Sequence, residues 1–135
     1  MEKNEFKDKK VLVTGSSKGI GFDIGKTFLE SGAKVLFTGT TPVPNYLIND
    51  NAFYLAGDLT NEKDLVKLFS YTQSIFNNKL DVLICNIGGG NMPIKLKYTK
   101  IEWEKNFNLN FFSTMYTIQK FVDLLKNSKN PSNSL

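Results

Sequence analysis

The run Lys10-Val11-Leu12-Val13-Thr14 passes directly into Gly15-Ser16-Ser17-Lys18-Gly19-Ile20-Gly21, and no other stretch restricts the possible folds as strongly. Its first part is short, nearly continuous in apolar residues and ends at a glycine, which predicts a strand buried on both faces. After the glycines, Ile20, Ile24, Phe28 and Leu29 recur at helical spacing until Gly32, which predicts a helix closed by a glycine C-cap. A strand that turns through glycines into a helix leaves the first N–H groups of that helix pointing into the turn. Glycines let the backbone bend tightly and approach a ligand, and the bare N–H groups suit a pyrophosphate.

The alternation continues along the chain. Val35 to Thr38 predicts a second buried strand, and Ala52 to Ala56 a third that ends at Gly57-Asp58. Leu80 to Cys85 predicts a fourth, followed by the loop Asn-Ile-Gly-Gly-Gly-Asn-Met-Pro from Asn86. The segment Thr-Pro-Val-Pro-Asn after the second strand allows at most a short helix. Thr60 or Asn61 can cap a helix with the stripe Leu65, Leu68, Phe69 and Ile75. Thr99 and Glu102 have the spacing of a capping box at the head of one long helix reaching about Leu125. Repeated strand and helix call for an α/β fold: a Rossmann-type doubly wound parallel sheet with right-handed crossovers. At 135 residues the chain is one dinucleotide-binding domain by this reading.

Composition removes several other classes. Apolar residues make up 41% of the chain, and no run is long enough to cross a bilayer. The opening residues Met1 to Lys10 alternate charges with no apolar core, unlike a secretory signal, so a cytoplasmic location is expected. With no histidine and a single cysteine, Cys85, which is expected to be a buried thiol, a zinc site is not expected. The net charge of +4 comes from lysines with no arginine, and acids are interspersed among them. That describes a solvated surface and argues against nucleic-acid binding, where arginine dominates phosphate and base recognition.

The spacing GxxxGxG in Thr-Gly-Ser-Ser-Lys-Gly-Ile-Gly resembles the coenzyme loop of the short-chain dehydrogenase/reductase family. Three further segments fit that family in order: Gly57-Asp58-Leu59-Thr60, Asn86-Ile87-Gly88-Gly89, and Trp103 to Asn110. The resemblance implies coenzyme contacts from Gly15, Ser17, Lys18, Gly19, Ile20 and Gly21. It places Asp58 on the adenine with Leu59 packed beside the base, and Asn86, Ile87 and Gly88 at the ribose, with Gly89 completing that loop. Ile87 stands where the family usually has alanine, a bulkier group at that turn. Asn110 matches the family's helix asparagine, which in relatives holds a water linked to the catalytic lysine.

The residues also bear on which dinucleotide fits. No Asp or Glu lies between Glu30 and Asp50, the region where an acid would meet a free 2′-hydroxyl of the adenosine ribose. Thr38, Thr40 and Thr41 supply hydroxyls instead, and Lys18 projects from the loop toward them. One ammonium and one or two hydroxyls suit a 2′-phosphate, so NADP is expected over NAD. The NADP-dependent ketoacyl reductases of the family show a similar pairing.

Tyr116-Thr-Ile-Gln-Lys120 has the letters of the family's YxxxK motif, but it shares a helix with Asn110. On a continuous α-helix the two side chains point roughly 120° apart, so they do not converge on one substrate. Tyr116 and Lys120 are expected to pack with Phe112 and Phe121. The family's strand-borne serine and true YxxxK therefore fall outside these residues, and the chain reads as a half truncated after the helix following the fourth strand. The resemblance implies an oxidoreductase acting on a small-molecule carbonyl or alcohol, homo-oligomeric at full length. The alternative is a nucleotide-binding or interaction module without turnover.

Overall fold

Four apolar runs pair as parallel strands in the order β3-β2-β1-β4 in the computed structural model, which describes residues 3–45, 47, 49–88 and 96–128. They are β1 (Lys10–Val13), β2 (Lys34–Gly39), β3 (Ala52–Ala56) and β4 (Val82–Ile84). The helices are α1 (Gly19–Glu30), α2 (Glu62–Ile75), α3 (Lys100–Phe107) and α4 (Ser113–Lys126). Register is set by burial on both faces: Leu12 lies beside Leu36 and Leu83, and Val13 beside Phe37 and Ile84. Val11, Leu12, Val13, Val35, Leu36 and Phe37 are wholly buried, as a parallel sheet covered by helices requires.

Alternate side chains divide the core in two. Val11, Val13, Val35 and Phe37 pack with Phe28 of α1 on one face. Leu12, Leu36 and Leu83 pack on the other with Leu65 and Leu68 of α2 and Phe121 and Leu124 of α4. The end of the sheet where strands begin is tied shut. The Lys10 amide donates to Asp81 Oδ2 at 2.8 Å, the Ser128 hydroxyl donates to Asp81 Oδ1 at 2.6 Å, and Lys10 Nζ donates to the Phe76 carbonyl at 2.8 Å. Partial burial pushes the Lys10 ammonium pKa down, Lys79 adds to the shift, and Asp81 opposes it. The opposite end, where strands finish, stays open.

Two helices differ from their sequence patterns. The face of α1 that meets the sheet is Gly21, Gly25 and Phe28, whereas Ile20 is 74% exposed. Close approach of α1 to β2 favours the smallest residues there, because a Cβ on Gly25 would run into the Phe37 ring. The helix expected to run unbroken from Thr99 is interrupted by a π-helical segment, Asn108–Phe112. The Ser113 amide donates to the Asn108 carbonyl, five residues back, so an extra residue enters that turn.

Beyond it, Ser113, Thr117, Phe121, Leu124 and Leu125 turn inward. The Ser113 and Thr117 hydroxyls donate to the carbonyls of Leu109 and Ser113 at 2.6 and 2.7 Å, which satisfies them inside the core. Trp103, Phe107, Phe111, Phe112 and Tyr116 all remain exposed, so Phe121 alone of the six aromatic residues on this helix is core. The expectation that Tyr116 packs with both Phe112 and Phe121 is thus half corrected. Tyr116 stacks on Phe112 with ring centroids 6.2 Å apart, while Phe121 lies on the buried side against Phe69.

Candidate functional site

The open end of the sheet carries a cleft of about 490 Å³ between the tips of β1, β2, β3 and β4. It lies where the chain leaves β1 for β2 on one side while β4 pairs on the other, the switch point at which open α/β sheets bind ligands. Gly15, Ser17, Lys18 and Gly19 line it from the first turn, Thr40 from the end of β2, Asp58 and Leu59 from the end of β3, and Asn86, Ile87 and Gly88 from the end of β4. Thus most of the residues singled out in the sequence meet around one space. Gly89 lies outside the described residues.

Hydrogen bonds within the protein fix the cradle. The Thr14 hydroxyl accepts from the Asn86 amide at 3.1 Å, and Asn86 Nδ2 donates to the Gly15 carbonyl at 3.0 Å. Asn86 thereby joins the loop after β4 to the glycine turn after β1. The buried Ser16 hydroxyl donates to the Val13 carbonyl at 2.6 Å and accepts from the Thr38 amide at 3.0 Å, which locks the turn to β2. Gly21 lies beneath the cleft rather than lining it. A Cβ there would overlap the Gly15 carbonyl oxygen and sit 2.5 Å from Asn86 Nδ2.

The start of α1 is electrostatically unlike the starts of α2 and α3, while α4 continues directly from the π-helical segment. The N-cap of α1 is Lys18, which makes no side-chain cap hydrogen bond, and its first turn has no acid. In α2, Asn61 accepts from the Lys63 amide at 2.9 Å, and Glu62 and Asp64 occupy the first turn. In α3, Thr99 and Glu102 form the complete capping box. Uncapped N–H groups at a helix start attract an anion, and here they border the cleft.

At the rim, Asp58 Oδ1 accepts from the Thr60 amide at 3.0 Å and the Thr60 hydroxyl at 2.6 Å. The Asp58 amide donates to Asp64 Oδ2 at 2.9 Å, so Asp64, unmarked in the sequence, orients the Asp58 turn from α2. The Thr38 hydroxyl, expected beside the ribose, instead donates to the Leu55 carbonyl at 2.6 Å. A parallel strand buried on both faces leaves a threonine no solvent partner, and the neighbouring carbonyl accepts its hydrogen bond. Thr40, two residues beyond, is exposed at the cleft together with Lys18.

Asn110 belongs to the π-helical segment, and its Nδ2 donates to the Asn106 carbonyl at 3.0 Å. Its Oδ1 lies 3.0 Å from where a Cβ on Gly88 would be, which puts it at the edge of the cleft. Its neighbour Leu109 is the helix residue that lines the cleft. Tyr116 and Lys120 instead line a separate groove between α2 and α4 with Leu65 and Val66. Lys120 Nζ stands 5.1 Å from the Phe69 ring centroid. Cys85, expected to be buried, is half-buried against the part of the core that faces α2 and α4, and burial pushes its thiol pKa up.

No group of three or more potential metal ligands occurs among the described residues, and no helix described is long and apolar enough to cross a membrane. The family model for short chain dehydrogenases matches residues 9–132. The chain belongs to the short chain dehydrogenase family. An uncharacterized oxidoreductase of Staphylococcus aureus is 33% identical over an alignment of 118 residues that covers 83% of this chain and 50% of that protein. The 3-oxoacyl-(acyl-carrier-protein) reductase of Chlamydia pneumoniae is 29% identical over an alignment of 124 residues that covers 84% of this chain and 48% of that protein.

Among solved structures, the Pseudomonas aeruginosa RhlG/NADP active-site complex superposes on the short chain dehydrogenase fold of this chain with a TM-score of 0.80 at 27% identity, covering 95% of this chain and 52% of that one. An NADH-dependent reductase complexed with NAD superposes with a TM-score of 0.84 at 24% identity, covering 96% and 57%. The chain spans about half the length of the curated relatives it matches.

Proposed function

We propose that this chain binds NADP in the cleft as the coenzyme half of an oxidoreductase that moves a hydride between NADP(H) and a carbonyl or secondary alcohol. The observation that carries the reading is the uncapped start of α1 above a glycine cradle, beside two helices that are capped by their own side chains. The residues present fit a dinucleotide, because Gly15, Gly19 and Gly88 line the cleft without side chains and the uncapped start of α1 borders it. The bound nicotinamide would supply or accept the hydride.

The chain's own groups bind and orient. The amides of Gly19, Ile20 and Gly21 face the diphosphate, with Gly15 and Ser17 forming the turn. Asn86 holds the two loops together, and Ile87 and Gly88 border the ribose near the nicotinamide end. Leu59 packs beside the adenine and Asp58 accepts a hydrogen bond from it. Asn110, at the edge by Gly88, positions water for the catalytic lysine of a complete enzyme.

Preference for NADP over NAD rests on Lys18 and Thr40 lining one cleft, with no carboxylate between Glu30 and Asp50 to repel a 2′-phosphate. The NADP-bound RhlG neighbour supports that preference, and the NAD-bound neighbour supports the alternative. The exposed aromatic face of α3 and α4 supports a subunit contact in a homo-oligomer.

The placement of Tyr116 in the groove between α2 and α4 favours a second reading for these residues alone: a nucleotide-binding or interaction module without turnover. Titrating the chain with NADPH and NADH, followed by nicotinamide fluorescence, tests the first reading, which expects saturable binding that is tighter for NADPH. Absence of binding by both would refute it. Oxidation of bound NADPH by a panel of small carbonyls separates an enzyme from a binding module.

A further inference from the structure

The end of β2 is crowded in a way the coenzyme reading does not require. Pairing between β2 and β3 ends at Gly39 opposite Ala56, with the Gly57 amide donating to the Gly39 carbonyl at 2.8 Å. Thr40 and Thr41 lie beyond that ladder. Tyr54, beside Phe37 in the register, runs along the α1 face toward the open end. Its phenol donates to the Thr41 carbonyl at 2.7 Å. Thr40 is thus held on both sides, by the last rung of the ladder and by the phenol.

Gly39 makes this possible. A Cβ at that position would lie 2.6 Å from Ser17 Oγ, 2.8 Å from Ser17 Cβ and 3.0 Å from the Tyr54 hydroxyl oxygen. The missing side chain lets the glycine turn of β1, the end of β2 and the phenol from β3 meet at one point. Thr40 and Lys18, the two groups offered to a ribose phosphate, lie on either side of that point and both face the cleft.

We propose that Tyr54 is a positioning residue that sets how tightly the cleft holds a phosphate on the adenosine ribose, by fixing Thr40 relative to Lys18. It touches no ligand and acts through the backbone it tethers. A phosphate bound by one mobile lysine gains little directional hold, so a threonine hydroxyl kept in place supplies the geometry. The proposal rests on the reading of the cleft as an NADP site.

The test measures dissociation constants of NADP and NAD for the 135-residue chain, Tyr54→Phe, Thr40→Ala and the double variant. Tyr54→Phe keeps the ring and removes only the tether. It should weaken NADP about fivefold, the worth of one hydrogen bond, and leave NAD within about twofold. In the Thr40→Ala background the same substitution should have little further effect on NADP, because the two residues act as one unit.

A purely structural role would weaken both dinucleotides equally. Equal losses, additive losses in the double variant, or an unchanged NADP to NAD ratio in Tyr54→Phe each overturn the proposal while leaving the coenzyme site intact. A wild-type chain that binds neither dinucleotide overturns the reading beneath it as well.

Discussion

Gly21→Ala is the substitution whose cost the structure defines most sharply. The added methyl would overlap the Gly15 carbonyl oxygen and lie 2.5 Å from Asn86 Nδ2 and 3.0 Å from the Ser16 Cα. Two of these neighbours are backbone, and the third is the amide that ties the loops together, so none can rotate aside without loss. Overpacking at a rigid site costs about 1–3 kcal/mol. Displacing the Asn86 to Gly15 hydrogen bond adds about 1 kcal/mol.

The better helix propensity of alanine returns about 1 kcal/mol. The net loss is about 1–3 kcal/mol, which lowers the thermal midpoint of a chain this size by about 4–10 °C. Circular dichroism melts measure it, and an NADPH titration should show at least a tenfold loss because the cradle opens. Gly19→Ala is the control. Gly19 has φ +64° with open space around it, so alanine there costs only left-handed backbone strain of about 1–2 kcal/mol and leaves the Asn86 bond alone. Gly19→Asn should recover much of that loss. A Gly21→Ala chain with the wild-type midpoint and wild-type affinity would refute the reasoning.

Lys18→Glu should weaken NADP binding far more than NAD binding, as read by paired titrations; equal losses would detach Lys18 from the 2′-phosphate. Asn86→Ala removes the donor to Gly15 and should cost about 1–2 kcal/mol in urea unfolding, with weaker coenzyme binding. Burial raises the Cys85 thiol above its ordinary 9.0, so the folded chain keeps that proton longer than the unfolded chain. Stability should therefore fall as pH rises past 9.0, relative to a Cys85→Ala variant measured in parallel, and a thiol reagent should react faster in denaturant than in buffer at the same pH. Thr99→Ala opens the capping box of α3 and should speed amide exchange over Lys100–Phe107, by about 1 kcal/mol of lost protection, without changing coenzyme affinity.

Much of the fold was legible because burial on both faces writes continuous apolar runs into parallel strands. The runs around Val11, Leu36 and Leu83 show it, and β4 differs from expectation only in being shorter. The glycine turn, Asp58 and Asn86 were legible because their types and order match one cradle. Other features depend on contacts between distant residues. Gly25 and Gly39 are needed only because Phe37, Ser17 and Tyr54 approach them, and a single sequence does not display that approach.

Apolar periodicity put Ile20 in the buried face of α1, although the helix comes too close to the sheet for a large side chain there. The π-helical segment was hidden for a different reason. One extra residue in a turn changes which side of the helix Phe121 and Tyr116 occupy, yet it leaves composition and capping signals untouched. Asp64 carries no signal in the sequence because an acid in a first turn is ordinary, and only its bond to the Asp58 amide gives it a part in the site.

The most direct measurement is the backbone amide spectrum of the isotopically labelled chain, recorded with and without saturating NADP. The largest shifts are expected at Ser17, Lys18, Gly19, Ile20 and Gly21, with further shifts at Thr40, Asp58 and Asn86. Shifts confined to the groove between α2 and α4, or none at the start of α1 under saturating coenzyme, would contradict the reading of the cleft as an NADP site.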